Sequence, residues 1–183
     1  MSSAVISSDR LDLVSMTPQF LEASLAGDRE KASNILGLAV PAEWFEETWL
    51  MQLRLDDLRS DAELQPWLLR AVGLRTSSTM IGHIGFHTAP GPDYLRDLAP
   101  GGVEMGYTIF PAYRKRGYAR EACAAMMDWA QHVHGVQRFV LSISPGNTPS
   151  LRIAQHFGFQ QIGSHVDEED GEEIIFERRV SDM

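Results

Sequence analysis

The sequence has few of the features that mark secreted, membrane-spanning or disulfide-stabilised proteins. Its one cysteine, Cys123, excludes an intramolecular disulfide and a thiolate metal cluster. No run approaches the roughly 20 apolar residues of a membrane-spanning helix, and the opening residues MSSAVISSDR lack the basic-then-apolar order of a secretion signal. We therefore expect a cytoplasmic protein with no membrane partner, stabilised by packing alone.

Basic residues are also scarce. The 183 residues include 16 Lys and Arg against 25 Asp and Glu, which gives a net charge of -9 and argues against nucleic-acid binding through phosphates. A hydrophobic fraction of 44% with 22% charged residues is typical of a globular domain with a substantial core. Because no repeat or flexible linker divides the chain, we predict one domain over residues 1–183.

Hydrophobic spacing predicts strands and helices in alternation around a mixed sheet, the α/β or α+β class. Thr17 and Pro18 are typical of a helix start and Gly27 of its end. Asp170 and Gly171 favour a tight hairpin turn. Helices are predicted after Thr17, Pro41 and Gly117 and over residues 148–156; strands are predicted at residues 10–14 (an edge strand), 68–72, 80–86, 103–110, 138–144, 160–166 and 172–180.

Residues 107–121 carry the clearest chemical signal. A strand there leads into three adjacent basic residues, a glycine and then a strongly amphipathic helix. The glycine lets backbone N–H groups approach an anion, and the helix N-terminus adds partial positive charge. Three cations at a helix start oppose the helix dipole, so this arrangement indicates an anion site; a solvated basic turn is the alternative. The spacing matches neither the Walker loop nor the dinucleotide fingerprint.

The motif Arg114-x-x-Gly117-x-Ala119 after a strand resembles the Gln/Arg-x-x-Gly-x-Gly/Ala acyl-CoA signature of the GNAT superfamily of N-acetyltransferases. Two further segments are similar to those of the ribosomal-protein N-terminal acetyltransferase branch (RimJ/RimL-type): Gly82 to Gly85 and Glu104 to Tyr107. This resemblance implies a mixed, mostly antiparallel central sheet flanked by helices. It continues through Arg120, Glu121, Ala122, Asn147, Ser150 and Phe157-Gly158-Phe159.

The resemblance also implies where acetyl-CoA binds. Backbone groups near Ile109 and Phe110 would bond the pantetheine arm, and Asn147 would contact that arm or a backbone carbonyl, with Ser150 beside it. From the residues alone Asn147 is a helix cap, and the two roles are compatible. The CoA pyrophosphate would be held by the amides of Arg114, Lys115, Arg116, Gly117, Tyr118 and Ala119.

Glu104 is the candidate general base. A carboxylate on a central strand is costly unless it is partnered or used; an exposed glutamate at the strand start is the alternative. Many GNAT enzymes have a tyrosine seven residues after the equivalent of Asn147 as proton donor to the thiolate. Ala154 stands at that place, which leaves Ser144, Ser150 or a water for that role.

Other reactive side chains fit structural roles better. His83 and His87 would lie about 13 Å apart on a strand, too far to share a metal, so we predict no metal site; His83 lining the substrate cleft is an alternative. Cys123 lies on the apolar helix face and is expected in the core. A core position is also expected for Trp44, Phe45 and Trp49, and a wall over the acceptor site is the alternative.

These features predict an acyl-CoA-dependent N-acyltransferase that transfers acetyl directly to a primary amine. The expected partners are acetyl-CoA and an amine acceptor, either a protein or peptide N-terminus or a small-molecule amine. Monomer and homodimer are both compatible with the sequence. A non-catalytic acyl-CoA-binding sensor is the main alternative, followed by an interaction module that binds partners through the basic loop and takes no CoA.

Overall fold

A computed structural model describes residues 5–167 and 171–180. Its helices are α1 (Pro18–Leu25), α2 (Arg29–Leu36), α3 (Thr48–Ser60), α4 (Tyr118–His134) and α5 (Thr148–His156). Its strands are β1 (Ile6–Ser7), β2 (Leu11–Ser15), β3 (Arg70–Leu74), β4 (Thr79–Phe86), β5 (Val103–Ile109), β6 (Arg138–Ile143), β7 (Gln160–Asp167) and β8 (Gly171–Arg179).

The eight strands are hydrogen-bonded in the order β1-β2-β3-β4-β5-β6-β8-β7. Strand β5 pairs with β6 in parallel, whereas β1–β2, β2–β3, β3–β4, β6–β8 and β7–β8 are antiparallel pairs. The predicted mixed, mostly antiparallel sheet with helices is confirmed.

The chain divides into two compact units. The first unit contains the described residues up to Phe86 together with Tyr107–Met126. The second unit contains His87–Gly106 together with the described residues from Met127 onward. The single-domain reading stays a prediction.

Local capping signals set the helix ends in the first unit. The Thr17 hydroxyl accepts a hydrogen bond from the Phe20 N–H at 3.3 Å, and Pro18 occupies the first turn of α1. Gly27 follows that helix with a positive φ of 70°. The predicted start and stop of α1 are therefore confirmed.

The helical stretch predicted after Pro41 is interrupted. A 3-10 turn at Ala42–Glu46 precedes α3, which begins at Thr48. This break changes the helical phase, so Trp44 is fully buried while Trp49 is 68% exposed. The expected core position is wrong for Trp49. Helix α2 was not predicted because it is only eight residues long and is mostly polar.

Strand β2 was predicted as an edge strand, and this is wrong. The short strand β1 pairs with its outer side, with Ile6 opposite Leu13. A strand of two residues is too short to show any alternation of apolar and polar side chains. The β2 side chains Leu11 and Leu13 are fully buried, as expected for alternate residues on the face of the sheet that packs against the core.

In the second unit, one hydrophobic cluster of buried residues is formed by Leu95, Ala99, Val140 and Ile175. Two of these residues come from the segment 90–102, whose prolines and glycines predict a surface loop from the sequence; the segment includes a 3-10 turn at Asp93–Leu95. Strands β7 and β8 form the predicted antiparallel pair. Asp170 of the predicted turn lies outside the described residues.

Two glycines of β4 leave room for neighbouring backbone in the first unit. A Cβ at Gly82 would lie 2.1 Å from the Thr108 carbonyl oxygen, and one at Gly85 would lie 2.8 Å from the Leu68 carbonyl oxygen. Backbone at such distances cannot move aside as the tip of a flexible side chain can. These contacts require glycine at both positions.

We expect Gly82→Ala to lower the free energy of unfolding by about 2 to 3 kcal/mol, because the added methyl group would force β4 and β5 apart. Gly163→Ala on β7 is the control, since a Cβ there would meet atoms no closer than 3.8 Å. Urea unfolding of both variants measures the difference. Equal stabilities of the two variants would contradict the close approach of the backbone at Gly82.

Candidate functional site

In the first unit, β5 leads into an exposed loop at the N-terminus of α4. A 3-10 turn at Pro111–Tyr113 follows the strand, and α4 begins at Tyr118. We call residues 114–117 the basic loop. Lys115 has a positive φ of 61° and Gly117 one of 81°. Left-handed residues that alternate with other conformations form concave nests of N–H groups that bind anions.

The lysine conformation in the basic loop is unusual. A left-handed conformation costs a residue with a side chain roughly 1 to 2 kcal/mol, and Asn or Asp usually occupies such positions when glycine does not. Strained backbone of this kind is concentrated at functional sites. The geometry therefore supports the anion site predicted from the sequence over the alternative of an ordinary solvated turn.

Arg10, which precedes β2, adds a fourth cation beside the basic loop. Its Nη1 donates to the Arg116 carbonyl oxygen at 3.1 Å, and its guanidinium lies 4.5 Å from the ring centre of Tyr118. Its Nε forms an ion pair with Glu121 at 2.7 Å. Sequence reasoning missed Arg10 because its partners are more than 100 positions away in the chain.

Glu121 holds Arg10 in place from the first turn of α4. Its carboxylate also accepts hydrogen bonds from the Ser8 hydroxyl and the Arg10 N–H, both at 2.8 Å. Burial alone would raise the pKa of this carboxyl, but the contacts with Arg10 and Ser8 lower it overall. An ionised carboxylate at a helix N-terminus offsets part of the repulsion among the cations.

The backbone groups expected to bond pantetheine already have partners within the protein. The Phe110 N–H donates to the Ile81 carbonyl oxygen at 2.9 Å, and the Ile109 carbonyl oxygen accepts from Arg114 Nε at 2.8 Å. Arg114 is thereby held against the end of β5. A carbonyl oxygen has two lone pairs, so a second contact at Ile109 stays a prediction.

In the second unit, Glu104 lies at the centre of a hydrogen-bonded cluster. The Ser142 hydroxyl donates to Glu104 Oε1 at 2.6 Å, and His87 Nδ1 lies 3.4 Å from Oε2. Tyr94 also hydrogen-bonds this carboxylate. Glu104 is only 8% exposed, so the alternative of an exposed glutamate at the strand start is wrong.

The partners of Glu104 decide its protonation state. Burial would raise the pKa of this carboxyl, but the interactions with His87, followed by those with Ser142 and Tyr94, lower it to about 2. Glu104 is therefore ionised at neutral pH and has little tendency to take up a proton itself. Its role as a general base stays a prediction.

Asn147 and Ser150 meet at the start of α5, also in the second unit. The Asn147 side-chain oxygen accepts from the Ser150 N–H at 3.3 Å, which is a helix cap. The capping role predicted from the residues is confirmed. Contact of either residue with a bound cofactor stays a prediction. Ala154 is buried in the same helix.

His83 and Cys123 are buried in the first unit. His83 lies between Trp44 and Phe110, and its Nε2 is 3.7 Å from Glu47 Oε1. The thiol of Cys123 is fully buried, and desolvation raises its pKa, so the expected core position is confirmed. Across residues 5–167 and 171–180, no set of three or more His, Cys, Asp or Glu side chains is placed to hold a metal.

The helices within the described part of the chain include none with the length and apolar character needed to cross a membrane.

Comparisons with known proteins identify the family and the fold. A family model described as the acetyltransferase (GNAT) domain matches residues 10–160. The uncharacterized N-acetyltransferase YnaD of Bacillus subtilis (strain 168) is 29% identical over 90 residues, which are 49% of this chain and 48% of YnaD. The match thus spans about half the length of that relative.

Solved structures show the same fold. A putative GnaT-family acetyltransferase from Bordetella pertussis superposes with a TM-score of 0.65 at 22% identity, covering 96% of this chain and 99% of that one. Ribosomal-protein-S5-alanine acetyltransferase from Vibrio fischeri gives a TM-score of 0.64 at 14% identity, covering 96% of both chains. At these identities the likeness concerns the fold alone.

The Glu104 cluster should make the protein's stability depend on pH. The pKa of Glu104 is lowered from 4.5 to about 2 on folding, so its ionised form stabilises the fold above about pH 4.5, and this contribution is lost as the pH falls towards 2. Between about pH 5 and about pH 3 the protein should lose about 2 kcal/mol more stability than Glu104→Gln. Urea unfolding at each pH measures both, and parallel curves would contradict this assignment.

Proposed function

Because the chain belongs to the acetyltransferase (GNAT) domain family, as the sequence predicts, we propose that it transfers the acetyl group of acetyl-CoA to a primary amine. The observation that carries the proposal is the backbone of the basic loop. Lys115 and Gly117 both have positive φ values in an exposed loop that ends at a helix N-terminus. A pyrophosphate is an anion that such a nest and dipole would bind.

The residues present suit the pyrophosphate of acetyl-CoA. The N–H groups at the start of α4 have no partners in the preceding turn of that helix and are oriented towards its N-terminal end. The side chains of Arg114, Lys115 and Arg116 are exposed and supply cations in a chain of net charge -9. These residues would therefore hold the diphosphate, as the family resemblance implies.

The proposed reaction requires a neutral amine and a thiolate leaving group. The amine nitrogen forms a bond to the carbonyl carbon of the thioester, and the carbon–sulfur bond breaks. A thiol of pKa about 8.5 leaves with little assistance, and an α-amine of pKa about 7.7 to 8 is partly neutral at pH 7, whereas a lysine amine near 10.4 is mostly protonated. These pKa values favour an α-amine as the acceptor. The acetyl group would pass directly to a protein or peptide N-terminus or to a small-molecule amine.

The name of the Vibrio fischeri protein supports a protein N-terminus as the acceptor, since that name gives an alanine of a ribosomal protein.

An acyl-CoA sensor without turnover would share the basic loop but would release no free thiol with any amine. Thiol release from acetyl-CoA in the presence of candidate amines therefore separates the two functions.

Gly117→Glu is expected to abolish stabilisation by acetyl-CoA, because the new carboxylate would repel the diphosphate and block the approach to the backbone. At about 100 times its dissociation constant, acetyl-CoA should stabilise the unchanged protein by roughly 2.7 kcal/mol. Thermal unfolding with and without acetyl-CoA measures this effect in each protein.

Gly135→Glu is the matched control. Gly135 has a similar positive φ of 70° and follows the C-terminus of the same helix. It therefore reproduces the strain and the charge change of Gly117→Glu at the opposite end of α4. Acetyl-CoA should still stabilise this control, and stabilisation of Gly117→Glu to the same degree would contradict the phosphate assignment.

A further inference from the structure

In the pair formed by Glu104 and His87, the carboxylate is buried and the imidazole is accessible to solvent. The His87 side chain is 42% exposed, while that of Glu104 is 10% exposed. We propose that His87, positioned by Glu104, is the group that accepts the proton from the acceptor amine. This inference rests on the proposed acetyl transfer and assigns its proton acceptor to a residue outside the acyl-CoA signature.

Contacts with β5 hold His87 in place at both its backbone and its side chain. Its N–H donates to the Glu104 carbonyl oxygen at 2.8 Å, which places the two residues opposite each other. Its Nδ1 lies 3.4 Å from Glu104 Oε2. A carboxylate only accepts hydrogen bonds, so it favours the tautomer with the proton on Nδ1. The basic lone pair is then on Nε2.

Gly106 leaves the space that the imidazole occupies. A Cβ on Gly106 would lie 2.9 Å from His87 Nε2, so the ring packs directly over the β5 backbone at that residue. Nε2 is thereby located above the strand, two residues beyond Glu104. The position of the ring is determined by a backbone hydrogen bond, by a carboxylate and by the missing side chain of Gly106.

Glu104 is suited to orient a base and poorly suited to be one. Its carboxylate already accepts hydrogen bonds from Ser142 and Tyr94, and it is ionised at neutral pH for the reasons given above. Glu104 is thus a positioning residue, and His87 would be the catalytic base.

In the proposed step the acceptor amine loses a proton to His87 and CoA leaves as a thiolate. The lone pair of the amine nitrogen forms the bond to the acetyl carbonyl carbon, and the proton released from that nitrogen moves to His87 Nε2. The electron pair of the carbon–sulfur bond leaves with sulfur as the CoA thiolate. Solvent then removes the proton from His87 and supplies one to the thiolate, so the products are the acetylated amine and free CoA thiol.

The test measures thiol release at saturating acetyl-CoA with two probe amines, a short peptide beginning with alanine and ethylamine. His87→Ala should lower kcat about 100-fold or more, the usual contribution of a general base, while acetyl-CoA still stabilises the variant in thermal unfolding. Imidazole added to the solution should restore part of the lost rate, because it can occupy the space left by the ring.

His165→Ala is the matched control. His165 has a side-chain exposure of 45% and lies 3.6 Å from Glu173, so its pair resembles the His87 pair in exposure and distance. It should retain the full rate. Glu104→Gln should lower kcat with little change in the KM for acetyl-CoA, and added imidazole should not rescue it because the His87 ring is still present.

The outcomes separate this inference from the proposed function. Full activity of His87→Ala, or a loss that imidazole does not restore, would overturn the assignment of His87 while leaving acetyl transfer intact. Absence of thiol release by the unchanged protein with both amines, or absence of acetyl-CoA binding, would overturn the proposed function and the His87 assignment with it. A rescued loss in His87→Ala, with His165→Ala unaffected, supports the assignment.

Discussion

The basic loop depends on a close contact between two backbones. Strand β5 can lie where it does only because Gly82 of β4 has no side chain next to the Thr108 carbonyl oxygen. The Ile109 carbonyl, one residue further, accepts the hydrogen bond that holds the Arg114 guanidinium. Any side chain at position 82 would displace this part of β5 and, with it, the support of the basic loop. The anion site is thus positioned by the sheet as well as by its own residues.

Electrostatics in this loop oppose stability in the absence of a ligand. Three consecutive cations lie at the positive end of the α4 dipole, and Lys115 adopts a left-handed backbone conformation. Glu121 compensates in part, but it also binds Arg10 and thereby brings a further cation to the same place. These features lower the stability of the protein without a ligand, so stability alone does not explain why they occur together. A bound diphosphate would relieve both the repulsion and the unfavourable dipole interaction.

Local signals were enough to predict what depends on neighbours in the sequence. The caps at Thr17 and Asn147, the end of α1 at Gly27 and the course of α4 were all predicted from a few adjacent residues. Contacts between distant residues could not be predicted: Arg10 meets Glu121 across 111 positions, and Ser142 meets Glu104 across 38. Trp49 was misplaced because a short 3-10 turn changes the helical phase without a clear signal in the sequence.

A carboxylate on a central strand is costly unless it is partnered or used, as the sequence predicts for Glu104. The structure shows that this carboxylate has hydrogen-bond partners, and those partners limit the role it can have in catalysis. Each hydrogen bond from Ser142, Tyr94 or His87 stabilises the ionised form and makes proton uptake by the carboxylate less favourable. The same bonds fix its orientation, which is the property needed to set the tautomer of a neighbouring imidazole. In the proposed reaction the Glu104 carboxylate would therefore stay negatively charged and keep the His87 imidazole oriented. The more exposed His87 ring would accept the proton.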